Sequence, residues 1–258
     1  MDHFKNIPDP DYKIDGSPVT DADRKAEVIL LKALANVAPN IPVVAEEAAA
    51  AGHIPAVHDR FFLVDPLDGT KEFIGGRKEF TVNVGLINES VPRFGVIYAP
   101  ALEKIYLTLS QTRAICATIP PAVHDLSLQE LETRAGVMKT RCVPSDLAMT
   151  IVASRSHGSE ELEAWLEGMK ISSRVNIGSS LKFCEIAQGT ADIYPRFGPT
   201  MEWDTAAGHA IVLAAGGVVT LADSSSPLRY AKLESGYRNP GFIVWAREEN
   251  SLRVEKAH

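Results

Sequence analysis

The hexapeptide Asp65-Pro66-Leu67-Asp68-Gly69-Thr70 holds the residues best spaced for chemistry. Pro66 fixes φ and Gly69 permits a tight turn, so two carboxylates three residues apart can converge on one point. Hard divalent cations take such oxygens, and the Leu67 carbonyl can add another. Lys71-Glu72-Phe73-Ile74 then opens a helix, which leaves the Gly69 and Thr70 N–H groups and the Thr70 hydroxyl facing an anion. Asp-Pro and Asp-Gly are also ordinary turn dipeptides, so the hexapeptide alone suits a surface loop as well. Trp203-Asp204-Thr205-Ala206-Ala207-Gly208 is the second feature. Asp204 reads as the N-cap of an apolar helix, a role that needs no further purpose. The small residues Ala206, Ala207 and Gly208 let that helix approach another element closely. Glu46-Glu47 follows a short apolar run and alone reads as a solvated pair, while a cap shared with Thr20 accounts for Asp23. As a set, Glu46, Asp65, Asp68 and Asp204 stand at strand ends or helix starts. They offer one pocket four metal-binding side chains. An acidic pocket holds a phosphate ester only with divalent metal between the two.

The elements that must position these groups can be read from periodicity. Asp15 to Val37 reads as a capped helix, with Val28, Ile29, Leu31, Leu34 and Val37 at helical spacing and a Thr20/Asp23 capping box. Ile41 to Ala45 is a short strand, and Phe61 to Val64 a buried strand stopping at Asp65-Pro66. Phe80 to Ile87 and Arg93 to Tyr98 form an antiparallel hairpin across Asn88-Glu89-Ser90. Ile105 to Leu109 is a further strand. Residues 111–148 are the least legible stretch, with one short helix near Ser127 to Arg134. Beyond it, strands at 150–153, 174–177, 191–194, 218–221 and 241–246 alternate with helices at 160–169, 180–188 and 204–215. The pattern predicts an α/β protein of mixed α+β character: residues 1–110 as one half, 111–148 as a connection, and 149–258 as the other half.

Composition excludes several classes. The 258 residues are 45% hydrophobic and 23% charged, which is ordinary for a globular protein and rules out disorder. No run reaches the roughly 18 apolar residues of a membrane span, and Met1 to Asn6 lacks a signal-peptide pattern. A formal charge of −7 argues against nonspecific nucleic-acid binding. Cys116, Cys142 and Cys184 have no paired spacing, which fits a reducing cytoplasm.

Asp65 to Thr70 and Trp203 to Gly208 resemble the two signature motifs of the inositol monophosphatase superfamily of metal-dependent, lithium-sensitive phosphatases. Within it, the chain is most similar to the CysQ-type 3′(2′),5′-bisphosphate nucleotidases. The supporting stretches are residues 15–23, 44–47, 152–157, 178–183, 194–196 and 198–204. The likeness runs from Lys13 to Ala246 and is weakest between Gln111 and Asp146. It implies a layered αβαβα sandwich whose first helix is shortened here, and two or three Mg²⁺ ions. By position, the metal ligands implied are Glu46, Asp65, the Leu67 carbonyl, Asp68 and Asp204. Thr70 and Asp23 match the pair that orients or deprotonates the attacking water, with Glu46 beside them. Leu67, Asp68, Gly69, Thr70 and Asp204 match positions facing the substrate, where Gly69 and Thr70 hold the scissile phosphate. His157, Ser179, Lys182 and Arg196 match nucleotide contacts.

The resemblance thus implies Mg-dependent removal of the 3′-phosphate from adenosine 3′,5′-bisphosphate, in sulfur assimilation or nucleotide recycling. The partner expected is a small nucleotide, not nucleic acid, and the chain a monomer or homodimer. The location expected is the cytoplasm, with peripheral attachment to the inner membrane as the variant. One alternative is an inositol or other sugar phosphatase, whose polyol is gripped by a carboxylate ahead of the Trp-Asp pair. Here Arg196-Phe-Gly-Pro-Thr-Met201 fills that region and Glu202 abuts Trp203. The other alternative is a non-catalytic regulatory protein on the same fold.

Overall fold

The computed structural model describes residues 1, 4, 10–13, 16, 18–123, 125–142, 147–154 and 160–247. Strand β1 (Asp11–Tyr12) pairs antiparallel with β2 (Pro18–Val19), so the first helix, α1, spans Asp21–Val37 and starts later than its apolar spacing predicts. The Thr20/Asp23 capping box fixes that start. Leu30, Leu31 and Leu34 turn inward, whereas Val28, Ile29 and Val37 are exposed, because one helix face meets the sheet. Of the expected shortened first helix, only Met1 and Phe4 fall among the described residues. The Phe4 ring packs 4.9 Å from Phe80 and 5.6 Å from Phe73.

After β3 (Val43–Ala45), the pair Glu46-Glu47 opens a short helix, α2 (Glu46–Ala50). Strand β4 (Arg60–Asp68) does not stop at Asp65-Pro66. It runs through the proline with a register shift between Asp65 and Asp68, which Pro66 requires because it has no N–H for the ladder. The turn at Gly69 (φ 92°) then starts α3 (Thr70–Ile74). The hairpin of β5 (Thr81–Asn88) and β6 (Val91–Ala99) forms as its alternation predicts. Glu89 and Ser90 take positive φ at its tip, as a tight hairpin turn demands. Strands β7 (Lys104–Ser110), β8 (Arg113–Thr118) and β9 (Ala135–Met138) extend the same sheet, with α4 (Leu128–Arg134) capped by Ser127. The stretch that read least clearly therefore holds two strands of the first sheet.

The second sheet is built from β10 (Met149–Ser154), β11 (Ile171–Ile177), β12 (Ile193–Arg196), β14 (Val218–Leu221) and β16 (Phe242–Trp245). Between these strands lie α5 (Glu160–Leu166), α6 (Leu181–Ala187) and α7 (Glu202–Ala214), and a small ribbon pairs β13 (Thr200–Met201) with β15 (Arg238–Asn239). The first sheet has seven strands in the order β3-β4-β5-β6-β7-β8-β9, and the second five in the order β11-β10-β12-β16-β14.

Side-chain alternation stacks these sheets into layers. Phe61 and Leu63 of β4 face the central core, while Phe62 and Val64 face α1. Val152, Phe242 and Val244 of the second sheet face the same central core, and Ile151, Ala153, Ile243 and Trp245 meet Leu162 and Leu166 of α5. The order is α1, seven-stranded sheet, α6 with α7, five-stranded sheet, α5. This is the αβαβα sandwich expected.

Candidate active site

The site forms where β4 ends, α3 and α7 begin, and α6 approaches from the second sheet. Glu46, Asp68, Gly69, Thr70, Ser179, Lys182, Arg196 and Asp204 line one cavity of about 320 Å³. Asp65 and Asp23 lie behind it, 1% and 2% exposed. His157 lies outside the described residues.

Each carboxylate is held by its own element. Asp65 Oδ1 accepts from the Leu67 N–H at 2.9 Å across the proline turn. Asp68 Oδ2 accepts from the Ser180 hydroxyl at 2.7 Å, and that hydroxyl receives the Asn83 amide at 2.8 Å. Asp204 is not the N-cap that the sequence suggests. The helix starts two residues earlier, and from its third position Asp204 Oδ2 accepts the Met201 N–H at 2.8 Å. Asp23 divides its oxygens. Oδ2 accepts the Thr20 N–H at 2.8 Å and the Thr20 hydroxyl at 2.6 Å, and Oδ1 faces the Thr70 hydroxyl at 3.2 Å. Thr70 Oγ1 lies equally 3.2 Å from the Leu67 carbonyl.

Burial dominates the electrostatics, and the crowding of carboxylates adds to it. Burial, then the charges of Glu46, Asp68 and Asp204, push the Asp65 carboxyl well above the usual carboxylate range. Asp204 is raised likewise by burial and then by Asp68 and Glu46. Burial also raises Glu46, against the pull of the Lys13 ammonium. Lys13 Nζ donates to Glu46 Oε1 at 2.6 Å and to Glu47 Oε1 at 2.8 Å. Among the described residues no three acidic groups close around a single point. The donor set nevertheless fits divalent cations: hard oxygens, buried and mutually repelling, with little positive charge of their own.

The far wall is cationic. Lys182 is 8% exposed, donates to the Ser179 carbonyl at 2.5 Å and stands over the Tyr194 ring. Burial lowers its pKa to about 8, with Asp68 opposing the shift. Arg196 donates through Nη2 to the Pro199 carbonyl at 3.0 Å, and its buried Nε has no partner among the described residues. Ser179 holds a positive φ of 49°, and its buried hydroxyl is likewise unpartnered. Glu202, next to the Trp-Asp pair, turns away from the cavity. Its carboxylate accepts the Ala231 and Lys232 N–H groups at 2.9 Å each and pairs with Lys232 Nζ at 2.6 Å.

Sequence reasoning missed Lys13, Asn83, Ser180 and Glu27. Glu27 accepts the Glu47 and Ala48 N–H groups at 2.8 and 2.9 Å and so anchors the start of α2. Its only sequence signal is a carboxylate at a position of α1 that faces the sheet.

Known proteins resemble this chain along most of its length. The chain is 43% identical over 232 residues to the 3′(2′),5′-bisphosphate nucleotidase CysQ of Salmonella typhimurium, covering 90% of this chain and 87% of that one. It is 46% identical over 208 residues to CysQ of Buchnera aphidicola, covering 81% and 72%. The crystal structure of CysQ from Bacteroides thetaiotaomicron superposes with a TM-score of 0.78 at 40% identity, covering 95% of this chain and 91% of that one. An IMPase from Thermotoga maritima, 20% identical over all of this chain and 90% of its own, shares the fold with a TM-score of 0.73. Residues 6–257 match the inositol monophosphatase family. With both signature turns on the wall of one cavity between the two sheets, the chain belongs to that family.

Proposed function

We propose that this chain removes the 3′-phosphate of adenosine 3′,5′-bisphosphate, giving AMP and phosphate, with Mg²⁺ as its metal. The observation that supports the substrate best is the pairing, in one cavity, of the acidic turn with Lys182 and Arg196. Two cations opposite a carboxylate cluster suit a molecule with two phosphates, one at the acidic end and one at the basic end. The engagement of Glu202 with the 231–232 backbone withdraws the carboxylate beside the Trp-Asp pair from the cavity, which counts against the polyol reading.

Glu46, Asp65, the Leu67 carbonyl, Asp68 and Asp204 would hold two or three Mg²⁺ ions. Bound there, Mg²⁺ supplies Lewis-acid activation of water and compensates phosphoryl charge. The residues of the chain do the rest. The Gly69 and Thr70 N–H groups orient the scissile phosphate at the start of α3. The Thr70 hydroxyl accepts a proton from the attacking water as it donates its own to Asp23 Oδ1, with Glu46 beside the pair. The bond from water oxygen to phosphorus forms, the bond from phosphorus to O3′ breaks, and the departing O3′ takes a proton from solvent water to become the 3′-hydroxyl of AMP. Lys182 and Arg196 grip the phosphate that stays, Arg196 through its fork and Lys182 as a point charge. Ser179 faces the nucleotide at the same wall. A cytoplasmic nucleotide pool is the setting this reading implies.

The test is phosphate release from adenosine 3′,5′-bisphosphate, inositol monophosphate and fructose 1,6-bisphosphate, with Mg²⁺ and then with chelator or lithium. The bisphosphate nucleotide is expected to be preferred at least ten-fold in kcat/KM, with inhibition by both additions. Preference for the inositol ester, or metal-independent release, overturns the reading.

A further inference from the structure

Glu72 has no part in the chemistry above, yet its position is specific. It lies on α3, one turn from Gly69, and is only 7% exposed while lining the cavity. Among the described residues its carboxylate has no hydrogen-bond partner. Its side chain passes directly over Gly178: a Cβ there would come within 2.9 Å of Glu72 Cγ and 3.1 Å of its Cδ. The Oε2 atom points back toward the acidic turn, 3.4 Å from where a Cβ on Gly69 would stand. Two glycines thus leave room for a carboxylate beside the phosphate cradle.

An acceptor-only group at that place repels a phosphate dianion and offers it no donor. The arrangement becomes favourable when the ligand carries a hydroxyl next to its phosphate, because that hydroxyl can donate to the carboxylate. We infer that Glu72 determines specificity by accepting a hydrogen bond from the hydroxyl vicinal to the cleaved phosphate, the ribose 2′-hydroxyl of a 3′-phosphorylated nucleotide. The inference rests on the substrate class proposed above and deepens it. Glu72 thereby distinguishes ribose from 2′-deoxyribose, since removal of the hydroxyl leaves a buried carboxylate facing a phosphate with no donor between them.

The competing role is that of a counter-charge for Lys182, toward which Glu72 is electrostatically disposed. The two roles give different results. The experiment measures kcat/KM with Mg²⁺ for adenosine 3′,5′-bisphosphate and for 2′-deoxyadenosine 3′,5′-bisphosphate, in the wild type, Glu72→Gln and Glu72→Ala. The wild type should favour the ribonucleotide by about ten-fold or more, the size of a hydrogen bond to a charged group. Glu72→Ala should bring the ratio to within about two-fold of unity, by loss on the ribonucleotide and relief of repulsion on the 2′-deoxyribonucleotide, and Glu72→Gln should give an intermediate ratio. An unchanged ratio, or an equal fall on both substrates, overturns the inference and assigns Glu72 to Lys182. If Glu72→Ala does not fold, the Gln variant carries the same comparison. Failure of the wild type to hydrolyse either bisphosphate overturns the substrate reading itself, and appears before any variant is made.

Discussion

Asp23 shows how one side chain can serve structure and reaction at once. Its Oδ2 closes the cap of α1, and its Oδ1 faces Thr70. Removing Thr70's hydroxyl leaves the cap intact, so Thr70→Ala should lower kcat by about 10²–10⁴, the range for a lost general acid–base group. KM and the melting temperature should hardly move, and Thr70→Ser should restore the rate. Asp23→Asn should lose rate and also about 1 kcal/mol of stability. Steady-state kinetics and a melting curve on each variant separate the two contributions. A Thr70→Ala enzyme with full kcat would remove the hydroxyl from the proton path. Lys182 offers a pH readout. With its pKa near 8, it becomes neutral as pH rises past that value. KM for the bisphosphate should therefore climb above about pH 8 in the wild type, and stay flatter in Lys182→Arg, whose guanidinium remains charged. The sign for stability is opposite. A lysine pKa depressed from 10.5 gives stability that is complete above 10.5 and is lost as pH falls through about 8. At pH 7 the ligand-free Lys182→Met variant should melt higher than the wild type, and an unchanged or lower midpoint would show that the buried charge costs nothing.

At the scale of elements, α7 fits closely against the hairpin that flanks the site. A Cβ on Gly95 would lie 2.2 Å from the Ala207 carbonyl oxygen, and one on Gly85 would lie 2.6 Å from the Ala206 Cβ. On the opposite flank, a Cβ on Gly208 would meet the Phe183 ring at 2.4 Å. The run of small residues in α7 and the glycines in β5 and β6 are two sides of one contact. Gly95→Ala should cost about 1–3 kcal/mol or more by overpacking, and should lower kcat by displacing Asp204, which α7 carries. A stable and fully active Gly95→Ala protein would mean that the helix can shift without harm to the site. Elements with strong alternation were legible in the sequence, the β5–β6 hairpin above all. So was the close approach of α7, from its small residues. Strands β8 and β9 were not. Their sequences, Arg113–Thr118 and Ala135–Met138, mix alanine and glycine with exposed positions, and Val137 at the sheet edge is 67% exposed. Little apolar contrast then remains to reveal a period of two. The extension of β4 past Asp65 was hidden for another reason: Pro66 is a stop signal locally, and the sheet overrides it with a register shift. The acidic turn was readable because its spacing is local, whereas the Lys13, Ser180 and Asn83 contacts join residues far apart in the chain.

For the whole molecule, the net charge of −7 and the buried carboxylates act in the same direction. Metal binding to the folded state alone should stabilise it by about 2.7 kcal/mol at one hundred times Kd. In a chain of this length that corresponds to a rise of roughly 5–10 °C in Tm. A melt in chelator, repeated with Mg²⁺ and with potassium at equal ionic strength, checks this. Only Mg²⁺ should give the full rise. An equal effect of potassium would reduce the site's contribution to general charge screening. The same melts on Asp65→Asn should show a weaker response to Mg²⁺, because the lost charge is one the ion would have balanced.

The contact between α7 and the hairpin also sets a schedule for synthesis. Thr81–Ala99 leaves the ribosome long before Glu202–Ala214, so the first sheet must wait with the inner face around Gly85 and Gly95 uncovered. That face is apolar, carrying Phe61, Leu63, Ile87 and Ile97 of the central core. Long-range pairing of this kind is slow, and it leaves nascent chains open to self-association. A chain halted after Met138 should therefore sediment with aggregates or chaperones, while one released beyond Trp245 should stay in the supernatant. The helix that brings Asp204 to the site is, during manufacture, also the cover for which that face must wait.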